Sequence, residues 1–141
     1  MNIHSIAILG AGNGGCAAAA DVTLRGFEVR LYSRSEETLK AIRKKGGIEL
    51  VEADKEDFAK PALVTNELKA AVSGADLIVI AAPALAHEEL LAGFANHLRE
   101  EQTILLNPGH TGAPCMRRGF CVASISSRKC ARRSRLPTFA A

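Results

Sequence analysis

Five short apolar runs, at 3–9, 27–32, 62–65, 76–82 and 103–107, recur along the chain, with helix-like segments between them. The runs are rich in Ile, Val and Leu and too short for helices, and apart from 27–32, where Glu28 and Arg30 alternate with apolar residues, they show little polar alternation. Such runs read as strands buried on both faces. The first predicted helix, 14–25, stops at Gly26. Ser35 is a credible N-cap for a second helix over 36–45, which Gly46 and Gly47 end. Thr65 or Asn66 caps a third over 67–73, which Gly74 ends, and Pro83 halts the strand that follows. In a fourth, over 85–99, Leu91, Phe94, Ala95 and Leu98 share one face. The charged stretch from Ile48 to Lys60 reads as a short strand or hairpin and a loop. Strand and helix alternate, so the expected class is α/β with a parallel sheet covered on both faces.

The most telling junction is Ile6-Ala7-Ile8-Leu9-Gly10-Ala11-Gly12-Asn13-Gly14-Gly15, followed by an alanine-rich helix. Strand, glycines spaced G-x-G-x-x-G, then helix is the order of a dinucleotide fingerprint. Gly10 makes the turn, Gly12 lets backbone approach a pyrophosphate, and Gly15 lets helix and strand pack closely. The phosphates would lie on free N–H groups of Asn13, Gly14 and Gly15 at the helix N-terminus. The alternative is a purely structural turn. The fingerprint predicts a Rossmann-type doubly wound parallel sheet over residues 1–112, as a single domain. Cys16 reads as a small buried hydrophobe, although a helix N-terminus also suits a reactive thiol of lowered pKa.

An NAD-specific site places an acid about 20 residues past the glycine loop, to receive the ribose 2′-hydroxyl. Ser33 stands there instead, beside Arg34, which predicts a 2′-phosphate pocket and NADP as cofactor, with NAD the alternative. Glu36 and Glu37 are near enough to compete for Arg34, and an ordinary solvated arginine is the other reading. Pro83 and His87 follow the fourth run at the carboxyl edge of the sheet, where α/β ligands bind. His87 is either a contact to nicotinamide or substrate or a half-buried ring packed on its helix. The turn Pro108-Gly109-His110-Thr111-Gly112 ends the last strand at the same edge.

Charge divides the 141 residues sharply. Residues 1–112 hold 11 Lys and Arg against 15 Asp and Glu, a net −4, whereas 113–141 hold 7 Lys and Arg and no acid, giving the chain its +3. Cys115, Cys121 and Cys130 also lie in that tail. Its basic residues lack interleaved aromatics, and with His110 its cysteines form no C-x-x-C knuckle, so neither nucleic acid nor a metal is expected as a partner. Residues 113–141 are expected to be irregular: a disordered interaction tail, or an aberrant end such as a frameshift leaves. No apolar run approaches a membrane span and no secretory leader is evident, so a cytoplasmic protein is expected.

Four segments together carry a resemblance: Gly10 to Gly15, Leu31-Tyr32-Ser33-Arg34-Ser35, Pro83-Ala84-Leu85-Ala86-His87, and Asn107 to Gly112. Residues 3–112 resemble the N-terminal domain of the NAD/NADP octopine/nopaline (opine) dehydrogenase family. Glycerol-3-phosphate dehydrogenases and ketopantoate reductases are similar over the first half and the strand-to-proline feature. The resemblance implies a cofactor domain for the reductive condensation of an amino acid with a 2-oxo acid. It also implies that the catalytic His and Asp lie in a second, helical domain, and no residue here matches them. No catalytic residue is therefore assigned, and the chain by itself is expected to be inactive. Its expected partners are the nicotinamide dinucleotide and either that catalytic domain or a second copy. A non-catalytic dinucleotide-binding module is the remaining alternative.

Overall fold

The computed structural model describes residues 2–52, 55–107 and 121–124. The elements in order are β1 (Ser5–Leu9), α1 (Asn13–Leu24), β2 (Glu28–Tyr32), α2 (Glu36–Lys45), β3 (Ile48–Glu52), β4 (Lys55–Ala59), β5 (Leu63–Thr65), α3 (Leu68–Val72), β6 (Leu77–Ile80), α4 (His87–Phe94), β7 (Thr103–Leu106) and β8 (Cys121–Ser124). Six strands form one sheet in the order β5-β2-β1-β6-β7-β8, every neighbouring pair parallel. The other two, β3 and β4, make a separate antiparallel hairpin.

All five residues of β1 are buried, as a central strand with helices on both faces requires. Its side chains alternate between two cores. Ala7 and Leu9 join Ile78, Ile80, Ile104 and Leu106 under α3 and α4, where Phe94 is fully buried. Ile6 and Ile8 join Val29, Leu31 and Val79 under Ala19 and Ala20 of α1, with Ile48 and Ala59 of the hairpin closing that side. A chain this poor in aromatics fills both layers with aliphatic side chains, and small residues on α1 set how closely it approaches the sheet.

End signals place α2 as expected. The Ser35 hydroxyl accepts from Thr38 N at 3.4 Å, and Gly46 takes the left-handed conformation at the far end. The fourth helix differs from its prediction over 85–99. Only His87–Phe94 is α-helical, flanked by 3₁₀ turns at Ala84–Ala86 and Ala95–His97, and Leu98 is extended. The reason lies in Gln102. Buried beyond the helix, it donates to the carbonyls of Val72 and Ala75 at 2.9 and 2.7 Å and accepts from Arg99 N at 2.7 Å, drawing the chain back toward α3 before β7. The expectation of a tail irregular throughout also differs from the structure, at Cys121–Ser124, where the backbone pairs in parallel with β7. An open strand edge offers a row of donors and acceptors, and pairing with it asks little of a sequence beyond the ability to extend.

Asp76 closes the amino edge of the sheet. Its Oδ2 accepts from the N–H of His4 at 2.8 Å, the N–H of Ser5 at 2.9 Å and the Ser5 hydroxyl at 3.1 Å, tying the start of β1 to β6. Those bonds, the His4 amide first, hold its carboxyl below the ordinary aspartate value. A group depressed on folding stabilises the native state above its unfolded pKa and loses that contribution as pH falls through the folded value. Asp76→Ala is expected to cost about 1–2 kcal/mol at neutral pH, a solvent-facing position keeping the figure modest. In urea titrations, Asp76→Asn should flatten the loss of stability that the wild type shows below about pH 4. Parallel losses in the two proteins would refute this role.

Candidate dinucleotide site

The loops at the carboxyl edge are continuations of the sheet. Gly10 N donates to Tyr32 O, Ser33 N to Thr65 O, Ala81 N to Leu9 O and Asn107 N to Ile80 O, so each loop leaves its strand already bonded to a neighbour. The first connections run from β1 outward through β2, and β6 then pairs on the other side of β1. The glycine loop therefore sits at the reversal of strand order, where open α/β sheets bind their ligands.

Within that loop the glycines differ in what they tolerate. Gly10 has φ +121°, and a Cβ there would lie 2.5 Å from the Ala81 carbonyl oxygen. A Cβ on Gly15 would fall on the Gly10 carbonyl, so the first turn of α1 and the end of β1 touch backbone to backbone. Around Gly12 and Gly14 no atom of the described residues lies within 4 Å of such a Cβ. Gly12 is the N-cap and supplies no side chain to the first turn, which also carries no acid. The leading N–H groups of α1 have no intrahelical acceptor. An uncapped, unblocked helix start without negative charge fits a pyrophosphate.

Cys16 faces inward beside the loop, its thiol 3.4 Å from the Ala11 carbonyl that accepts from it. Burial raises its pKa, which favours the packing reading over the reactive, lowered-pKa one.

At the end of β2 Ser33 is buried, and its Oγ accepts from Ser35 N at 3.1 Å, which leaves the hydroxyl proton available. Arg34 reaches outward and pairs with Glu89 at 3.1 Å. The competitor for Arg34 is thus Glu89 rather than Glu36, which pairs with Arg43 at 2.8 Å while Arg43 also binds the Val64 carbonyl. Sequence reading missed Glu89. Its signal was present in the acid pair Glu88-Glu89 opening the helix after β6, on the other side of β1 from Arg34.

The β6 loop holds the remaining candidates. Pro83 accepts from Ala86 N at 2.8 Å, forming the 3₁₀ turn that enters α4, and Leu85 on that turn is 97% exposed. His87 is 6% exposed, and its Nε2 donates to the Ala82 carbonyl at 2.8 Å. The Nε2 of the ring is thus engaged with the backbone of its own loop. The turn from Pro108 to Gly112 lies outside the described residues. Among the described residues no cluster of His, Cys, Asp or Glu forms a metal site, and no helix is long and apolar enough to cross a membrane.

Known proteins agree with this geometry. A family model described as the N-terminus of NAD-dependent glycerol-3-phosphate dehydrogenase matches residues 5–109. An opine dehydrogenase from Arthrobacter sp. (strain 1C) is 39% identical over 106 residues, 75% of this chain and 30% of that protein. A glycerol-3-phosphate dehydrogenase [NAD(P)+] from Moorella thermoacetica is 36% identical over 87 residues, 57% of this chain and 24% of that one. The chain thus spans less than a third of either relative. Among solved structures, octopine dehydrogenase with NADH and L-arginine superposes with a TM-score of 0.66 at 24% identity, over 74% of this chain and 28% of that chain, and shows the shared fold. The 2-dehydropantoate 2-reductase of Porphyromonas gingivalis W83 gives 0.63 at 27% identity, over 74% and 38%. The chain belongs to the NAD-dependent glycerol-3-phosphate dehydrogenase N-terminal family and is a nicotinamide-dinucleotide-binding domain.

Proposed function

We propose that this domain serves an opine-type dehydrogenase in the cytoplasm and takes NADP(H) in preference to NAD(H). The parent reaction is the reductive condensation of an amino acid with a 2-oxo acid, for which the bound nicotinamide supplies hydride. In this reading the N–H groups at the start of α1 hold the pyrophosphate, with Gly12 and Gly14 leaving it room. Ser33 and Arg34 receive the adenosine ribose, and the β6 loop, braced by His87 and turned at Pro83, flanks the nicotinamide half. A glycerol-3-phosphate dehydrogenase cofactor domain is the second reading, favoured by the description of the matching family. It shares this site and differs only in the substrate met by the nicotinamide.

The observation that carries the cofactor preference is Ser33 with Arg34 at the end of β2, where an NAD site has a carboxylate. No carboxylate stands at position 33 itself to repel a 2′-phosphate, and Arg34 presents planar donors to it. A hydrogen bond to a charged group contributes about 1.5–3 kcal/mol, and disengaging an exposed pair such as Arg34–Glu89 costs up to about 1 kcal/mol. The balance predicts NADPH bound about tenfold more tightly than NADH. Calorimetric titration of both cofactors into wild type and Arg34→Ala tests this. Equal affinities in the wild type, or an unchanged ratio in the variant, would sink the NADP assignment.

A further inference from the structure

The Arg34–Glu89 pair joins residues 55 positions apart, one following β2 and the other in the first turn of α4 after β6. Since β2 and β6 flank β1, the contact bridges over the strand that ends in the glycine loop. Neither partner is held by packing, with side chains 65% and 70% exposed, so the contact is electrostatic and reversible. The nearer acid in sequence, Glu36, pairs with Arg43 instead, which leaves Glu89 as the described carboxylate engaged with Arg34.

We propose that Glu89 is a cofactor-selecting residue, a counter-charge set across the glycine loop that restrains Arg34 and keeps the preference for a 2′-phosphate small. This rests on the NADP reading of Arg34 and adds to it a second residue, on a different element, that acts in the opposite direction. Glu89 engages one guanidinium nitrogen, Nη1, so the guanidinium is neutralised and its fork is partly occupied before any phosphate arrives. A dianion brought to Arg34 also meets the Glu89 carboxylate, and the two repel. An adenosine with a free 2′-hydroxyl meets no such repulsion. Glu89 therefore lowers affinity for the phosphorylated cofactor selectively. A stabilising brace for the loop would instead affect both cofactors alike.

The test is a set of calorimetric titrations of NADPH and NADH into the full chain, at low and high salt, for wild type, Glu89→Gln, Glu88→Gln, Arg34→Ala and the Arg34→Ala/Glu89→Gln double variant. Glu89→Gln is expected to tighten NADPH binding about three- to fivefold, the scale of one exposed pair, with NADH unchanged. The gain should shrink at high salt, where exposed charges are screened, and most of it should vanish when Arg34 is absent. Glu88→Gln removes the same charge one residue away and should leave the ratio unaltered. A similar gain from Glu88→Gln, or an equal change for both cofactors, overturns the proposal. If Arg34→Ala collapses the ratio while Glu89→Gln leaves it untouched, this inference fails and the NADP reading stands. A ratio insensitive to Arg34→Ala removes both.

Discussion

Gly15→Ala is expected to destabilise the domain by about 3 kcal/mol and to lower its melting temperature by roughly 10 °C, although alanine is the better helix former. In an exposed helix the exchange would gain about 1 kcal/mol. At Gly15 the added methyl falls on the carbonyl of Gly10, and neither group can move away. Gly10 is held by its own left-handed conformation and by its bond to Tyr32, and Gly15 by the helix that begins there. Backbone overlap in a close-packed interior costs more than propensity returns. Gly14→Ala, one residue earlier, meets nothing within 4 Å and should stay within about 1 kcal/mol of the wild type. Thermal and urea unfolding of the two variants side by side decides the matter. A Gly15→Ala protein as stable as the wild type would show that helix and strand do not meet as described.

Gly12→Val is expected to leave the fold largely intact and to weaken dinucleotide binding by roughly 3 kcal/mol, about a hundredfold. The backbone of Gly12 is one any residue adopts, φ −75° and ψ −176°, and among the described residues nothing lies within 4 Å of an added Cβ. The structural cost is that of a poorer N-cap, about 1 kcal/mol. In the proposed site, by contrast, a bound pyrophosphate approaches the N–H groups of the first turn through that same space. Two branched methyls there push the phosphates off their donors. Asn13→Ala, which adds no bulk on this side of the loop, should bind within about threefold of the wild type. Calorimetry reports the affinity and circular dichroism the fold. Undiminished affinity in a folded Gly12→Val protein would remove the glycine loop from the binding site. Together with the Gly15 pair, the result separates the glycine that the fold needs from the glycine that the ligand needs.

Much of this protein is legible in its sequence because the controlling interactions are local or strictly periodic. Strand β1, the glycine turn and α1 follow from one continuous stretch, since a buried parallel strand is apolar throughout and a tight turn admits glycine. Ser35 and Gly46 delimit α2 through bonds within a few residues of each other. The absence of a carboxylate at Ser33 is likewise a property of a single position.

What the sequence does not carry is the pairing of groups distant along the chain. Nothing local distinguishes Glu89 from Glu36 as the partner of Arg34: Glu36 is nearer in sequence but faces Arg43, and only the placement of β2 and β6 on either side of β1 brings Glu89 within 3.1 Å. The same holds for His87, whose apolar neighbours fit a ligand contact as well as a packed ring until the β6 loop turns the Ala82 carbonyl toward it. Helix α4 stops short of its apolar periodicity because Gln102 finds the carbonyls of Val72, at the end of α3, and of Ala75 just beyond it, a satisfaction of buried polar groups that hydrophobic spacing does not encode. Periodicity and capping report the energetics of a segment with itself and with solvent. Long-range charge pairs and buried hydrogen bonds depend on which surfaces the sheet brings together, and the tertiary structure alone decided those.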